Sequence, residues 1–212
     1  MKKYIDIESW ERKDQFYLFN NMDYPHFNIT ANIDITKAYT YLKSNDFSFF
    51  KTMVYLVSMV SNNIKEFRYR IEDDKVVEYD YINPSTTVLT KPEVFSFCTI
   101  NFTYDYKNFV KNMTYQIEKL KDKVDIEDDP NTENLIYITS IPWISFTSIT
   151  HPIHMNPSDS IPRIAWGKYF NDTEKVKLPF SVQVNHALMD GVHVGKFFNS
   201  LQETLDNIEK HV

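Results

Sequence analysis

A chain of 212 residues can hold one domain with a full hydrophobic core, or two small ones. Its net charge of −6 argues against nucleic acid as a partner, because phosphate binders carry a basic patch. The single cysteine, Cys98, excludes an internal disulfide and a cysteine-based metal site. Residues 1–10 lack the apolar core of a secretory signal, so a cytoplasmic protein is expected. The longest apolar run, residues 49–60, is interrupted by Lys51 and is too short to span a bilayer, so no membrane association is expected. Sequons begin at Asn28, Asn101, Asn112 and Asn171 and carry no weight in that compartment. There is no repeat, and the charged break at residues 121–133 is too short for a linker, so residues 1–212 read as a single domain.

In chain order, Trp10 and Arg12 precede a short helix over residues 13–20. Residues 26–35 alternate as a strand, and Thr36 is placed to N-cap a short helix. Residues 49–64 are apolar nearly all round, which predicts a helix packed on both sides. Residues 68–72 and 76–79 flank Asp73-Asp74 as a hairpin. Two short β-rich runs, 86–90 and 93–102, are separated by Pro92. Residues 106–124 place Phe109, Met113, Ile117 and Leu120 on one helical stripe. Strands are expected over 135–141, 162–170 and 176–186, and a last helix over 192–209. Hairpins mixed with crossovers favour an α/β fold, a two-layer sandwich of a mixed β-sheet covered by helices.

Chemistry concentrates in residues 183–198, which hold two of the three glycines, Gly191 and Gly195, and two of the six histidines, His186 and His193. Val176, Leu178, Phe180, Val182, Val184 and His186 share one parity, and Lys177, Ser181, Gln183 and Asn185 the other. This predicts a half-buried strand whose apolar face ends in an imidazole. Helical spacing resumes at once through Val194, Phe197, Phe198, Leu201, Leu205 and Ile208. His186 therefore stands at a strand-to-turn junction, where a neutral imidazole is a candidate general base. A lone histidine on an apolar strand face is more often a satisfied core residue.

The string Gln183-Val184-Asn185-His186-Ala187-Leu188-Met189-Asp190-Gly191-Val192-His193 resembles the signature of the chloramphenicol acetyltransferase family. That signature runs Gln, aliphatic, His-His, small, two variable positions, Asp-Gly, aromatic, His. Asn185 and Val192 depart from it, whereas the spacing of His, Asp, Gly and final His is kept. Further landmarks are Trp10-x-Arg12, Ile33-Asp34-Ile35-Thr36, Ile141-Pro142-Trp143 and Gly167-Lys168-Tyr169.

The resemblance implies an acetyl-CoA-dependent O-acetyltransferase of the same α/β fold. His186 is its general base, with the other ring nitrogen held by a backbone carbonyl. Thr139 takes the place of the family's oxyanion-stabilising serine, whereas Ser140 would face the other side of its strand. Asp190 reads locally as a helix N-cap, and by resemblance as the partner of Arg12; both are structural roles. Gly191 is expected to supply a turn conformation or a close approach that a Cβ would obstruct. His193 is a second catalytic candidate whose position favours packing or capping. Phe19, Phe27, Phe95, His151, Arg163 and Ala165 match acceptor-pocket positions, and Lys168 and Tyr169 coenzyme A positions.

Phe19 stands where a tyrosine is usual, Ala165 where a threonine is, His151 where a leucine is, and Arg163 where an aliphatic residue is. Unless they turn outward, His151 and Arg163 would suit a more polar or anionic hydroxyl acceptor than chloramphenicol. The resemblance also implies a homotrimer with active sites at subunit interfaces. Cys98, among Phe95, Phe97 and Ile100, reads as core, not as a nucleophile. His151 and His154 lack the one-face spacing of a helical zinc motif, so no metal is expected. Two other readings are an O-acetyltransferase for a different acceptor and a non-catalytic binding protein on the same fold. A dihydrolipoamide acyltransferase would bring a lipoyl domain and linker that the sequence does not contain.

Overall fold

A computed structural model describes residues 1–90, 93–120, 126, 132–155 and 159–212. The chain opens with a short strand, β1 (Lys2–Tyr4), a 3-10 turn (Ile7–Ser9) and helix α1 (Lys13–Asn20). Next come β2 (His26–Asp34), α2 (Thr36–Ser44) and α3 (Phe49–Asn62). A 3-10 turn (Lys65–Arg68) leads into the hairpin β3 (Tyr69–Glu72) and β4 (Lys75–Tyr79). Then follow β5 (Asn83–Leu89), β6 (Phe95–Thr99), α4 (Tyr106–Lys119) and β7 (Leu135–Ser140). The chain finishes with β8 (Arg163–Trp166), β9 (Phe170–Asp172), β10 (Lys175–Asn185), α5 (Gly191–Asp206) and a 3-10 turn (Ile208–Lys210).

The main sheet has seven strands, in the order β2-β10-β8-β7-β5-β6, with β9 paired to β10. It is mixed: β7 lies parallel to β5 and β8, and the other pairs are antiparallel. The hairpin and β1 form a separate sheet in the order β1-β4-β3. Ile136, Ile138, Ile164, Trp166, Phe180, Val182 and Val184 share a core with residues of α2, α3, α4 and α5. Alternation sends Tyr137, Thr139, Arg163, Ser181 and Gln183 to the opposite face. This is a mixed sheet with helices packed on one face. Helix α3 is buried from Thr52 through Asn62, as its all-round apolarity predicts.

Several details differ from the pattern reading. Strand β10 is buried on both faces from Leu178 to Asn185, because it is central and its polar face is covered. Ser181 bonds Asn28, Gln183 bonds the main chain of His151, and Asn185 donates to the carbonyl of Asp159. The expected strand over 162–170 is two strands, broken where Gly167 passes under Ile144, Phe146 and Pro179. Thr36 is the first residue of α2 and not its cap; the Asp34 carboxylate accepts from both the N–H and the Oγ1 of Thr36. Burial pushes the Asp34 carboxyl up, but Thr36 and Lys175 outweigh it and hold it well below the usual carboxylate range. Helix α5 ends at Asp206, and α4 at Lys119. Pro92 and most of the 121–133 break lie outside the described residues.

Candidate functional site

His186 sits in the turn that follows β10, where its N–H donates to the carbonyl of Pro25 at 2.7 Å. Its ring stacks on Phe19, with centroids 3.8 Å apart and planes 5° apart, and meets Phe27 at 4.6 Å. The side chain is 31% exposed, so the imidazole lies at the protomer surface, backed by two aromatic rings. Phe19 comes from α1 and Phe27 from β2, and so the N-terminal region closes on the C-terminal turn.

Arg12 fixes that closure. It forms a two-pronged ion pair with Asp190, one arm at 3.0 Å, and donates from the same nitrogen to the His186 carbonyl at 3.2 Å. Hydrogen bonds from Arg12 hold the Asp190 carboxyl below the usual carboxylate range, against the opposing effect of burial. Asp190 Oδ1 also lies 3.3 Å from His186 Nδ1. The implied carbonyl partner for that ring nitrogen is not seen: Nδ1 is buried without a hydrogen bond among the described residues, and Arg12 occupies the residue's own carbonyl. Asp190 is the residue before α5, and its backbone N–H donates to His193 Nδ1 at 2.8 Å. The proton of neutral His193 is thereby placed on Nε2, 3.5 Å from Glu66, and burial pushes the imidazole's pKa down. His193 is thus committed to the helix start.

Gly191 does not behave as expected. Neither its φ nor its surroundings require glycine, since a Cβ there would meet nothing within 4 Å. Gly167 is the confined one: its Cβ would come within 2.7 Å of the Ile144 carbonyl oxygen and 2.9 Å of Pro179.

A second group of candidates lines a cleft of about 620 Å³ on the sheet face away from the helices. Thr139, Phe95, His151 and Arg163 all contribute to it. Arg163 pairs with Asp159, donates to the Ile161 carbonyl at 3.0 Å, and lies 5.1 Å above the Tyr137 ring. Burial, with Arg163 nearby, pushes the His151 imidazole's pKa down. Ala165 is fully buried between its register partners Thr139 and Ser181 and does not line the cleft. Ser85, Tyr137 and Asp159 line the cleft and were missed by sequence reading. Only Asp159, four residues before Arg163, left a signal that could have been read.

The six acceptor candidates therefore split into two places, Phe19 and Phe27 at His186, the others along or beneath the cleft. Thr139 pairs through Ala165 with Ser181, five residues before His186 on β10. At ~3.3 Å per residue that is roughly 16 Å along the sheet, with two strand spacings across it. Within one protomer, no single reacting atom can touch both His186 and Thr139.

Lys168 and Tyr169 follow Gly167. Lys168 is exposed, and its N–H donates to the Ile144 carbonyl at 2.8 Å. The Tyr169 hydroxyl lies 3.3 Å from that of Tyr39. Trp143, beside the cleft, is 66% exposed, an unusual setting for that side chain. Cys98 is buried on the helix side of β6, and burial pushes its thiol up to about 11. Among the described residues no group of three or more His, Cys, Asp or Glu side chains could hold a metal ion. No helix among them is long and apolar enough to cross a membrane.

This architecture is shared with acyltransferases. The chain superposes on a solved chloramphenicol acetyltransferase with a TM-score of 0.86, 28% identity, and coverage of 97% of this chain and 100% of that one. A dihydrolipoamide acetyltransferase from Azotobacter vinelandii shares the fold at a TM-score of 0.71 and 16% identity, over 93% of this chain and 87% of that one. The family described as chloramphenicol acetyltransferase matches residues 2–202. A curated relative, the chloramphenicol acetyltransferase of Clostridium perfringens, is 36% identical over 210 residues, 97% of this chain and 95% of the relative. The chain belongs to the chloramphenicol acetyltransferase family.

Proposed function

We propose that the protein transfers acetyl from acetyl-CoA to a hydroxyl of chloramphenicol within a ternary complex. The observation that carries this reading is the placement of His186: a surface imidazole, stacked flat on Phe19, on a turn pinned by Arg12 and Asp190. With Nδ1 buried beside the Asp190 carboxylate, Nε2 is the nitrogen left to accept a proton. It takes that proton as the acceptor oxygen attacks the thioester carbonyl, and returns it to the departing thiolate as the tetrahedral intermediate collapses. Thr139 donates its hydroxyl proton in a hydrogen bond to the intermediate's oxyanion.

His186 and Thr139 lie far apart in one chain, so the proposal requires them to come from adjacent copies in a homotrimer. Lys168 as a phosphate contact and Tyr169 as a ring for adenine belong to the same proposal, as does exposed Trp143. The decisive test follows thiol release from acetyl-CoA with and without chloramphenicol. Wild type releases thiol only with the acceptor, and His186→Ala loses at least a hundredfold in kcat while assembling normally. Retained turnover in that variant rejects the mechanism. His151 and Arg163 in the cleft favour a second reading, a more polar acceptor, which a panel of alcohols separates from the first.

A further inference from the structure

The turn that carries His186 has a support from far upstream in the chain. Glu66 lies in the 3-10 turn before β3 and is buried. Its neighbour Phe67 is fully buried and stacks on Phe197 of α5, with ring centroids 5.0 Å apart and planes 24° apart. Phe197 stands one helical turn beyond His193, so this contact holds the Glu66 backbone against the start of α5. The Glu66 carboxylate lies 3.5 Å from His193 Nε2, and both side chains are largely covered. At the other end of the ring, Nδ1 accepts from the Asp190 N–H at 2.8 Å.

A neutral imidazole has one donor nitrogen and one acceptor nitrogen. A carboxylate at Nε2 demands the donor there, and so leaves Nδ1 as the acceptor that Asp190 needs. An imidazolium has two donors and would turn one N–H against another. Four charged groups surround the ring: Glu66 and Asp190 favour the imidazolium, whereas Arg12 and Lys196 oppose it. Burial is the largest influence, and it keeps the ring neutral at pH 7. Asp190 is where these contacts meet the chemistry, since its carboxylate holds Arg12 and lies 3.3 Å from His186 Nδ1.

We infer that Glu66 is a positioning residue for the acetyl transfer: through the His193 ring it fixes the Asp190 main chain, and through Asp190 the angle of the His186 imidazole. Glu66 acts only through His193. The inference rests on the reading of His186 as the general base.

The test compares wild type, Glu66→Gln and Glu66→Leu. For each, kcat, both KM values, the urea midpoint and hydrogen exchange at the Asp190 amide are measured. Glu66→Gln keeps an oxygen acceptor at Nε2 and stays within about twofold of wild-type kcat. Glu66→Leu removes that acceptor. It lowers kcat about tenfold, keeps the KM for chloramphenicol and for acetyl-CoA within about twofold, and speeds Asp190 exchange about tenfold. Unchanged kcat in Glu66→Leu, equal losses in both variants, or a raised KM with kcat intact would each overturn the inference. A lower urea midpoint with kcat and Asp190 exchange intact would overturn it as well and make Glu66 a fold contact alone.

If Glu66→Leu does not fold, Glu66→Gln decides by pH. Loss of the carboxylate charge makes His193 harder to protonate, so the Asp190 amide resonance, which follows that protonation, changes at lower pH than in wild type. An Asp190 amide that does not follow His193 overturns the inference. If wild type transfers no acetyl to chloramphenicol, the proposed function fails separately. Asp190 exchange then decides: fast in Glu66→Leu and near wild type in Glu66→Gln supports the inference, and equal rates overturn it.

Discussion

At the scale of single residues, the two glycines make opposite demands. Gly167 lies where the chain leaves β8 beneath the 144–146 segment, and one contact for an added Cβ would be a backbone carbonyl oxygen at 2.7 Å. Such an atom moves only with its chain, so Gly167→Ala should lower unfolding free energy by about 1–3 kcal/mol in urea titration. Gly191 opens α5 in free space, and Gly191→Ala should change stability by no more than about 0.5 kcal/mol. Equal losses in the two variants would show that the crowding around Gly167 is relieved easily. Sequence alone suggested the reverse for Gly191, because an Asp-Gly before an amphipathic run looks like a strained turn. What distinguishes the two glycines is tertiary: residues 144, 146 and 179 surround one, and nothing surrounds the other.

At the scale of elements, period and parity made most strands and helices legible. Asp73 and Asp74, at φ 48° and 61°, form the hairpin turn their composition suggested. Three residues of β1 were too few to show a period. The doubly buried polar face of β10 was not legible either, because its cover is a loop 26 to 32 residues upstream. His186 could be read from strand parity running into a turn, whereas Thr139 looked like any β-branched strand residue without the family likeness.

Arg70 shows what no local pattern reveals. It is fully buried and donates to the carbonyls of Phe67, Tyr69, Glu133 and Leu135, joining the small sheet to β7. Burial pulls its pKa down to about 10, which leaves it charged at neutral pH. Arg70→Leu removes the donor to four carbonyls at once and should cost about 3 kcal/mol or more, with early proteolysis near β3. A variant of wild-type stability would mean that water replaces the guanidinium.

At the scale of the whole molecule, one buried and two half-buried histidines couple folding to pH. His26, His151 and His193 all have pKa values pushed below the ordinary 6.5 by burial. The unfolded chain therefore binds protons first as pH falls. Stability is full above about 6.5 and drains away as pH drops through the depressed values. Asp34 and Asp190, held low by their partners, lose their contributions only in stronger acid. The urea midpoint should fall more between pH 6.5 and 5.5 than between 7.5 and 6.5, and His26→Asn should flatten the drop. A midpoint level down to pH 5.5 would contradict this.

The distance between His186 and Thr139 sets the last expectation. If each site takes His186 from one copy and Thr139 from the next, two inactive variants can repair each other. The His186→Ala chain brings Thr139 but no His186, and the Thr139→Val chain brings His186 but no Thr139. Refolding the two together in equal amounts into closed trimers gives sites with all four combinations, and chance makes about a quarter of them fully wild type. The mixture should then show about a quarter of wild-type kcat per site, well above the sum of the separately refolded variants. If instead each site were completed within one chain, mixing would yield only the average of the two defects. A result at that average would refute the shared site.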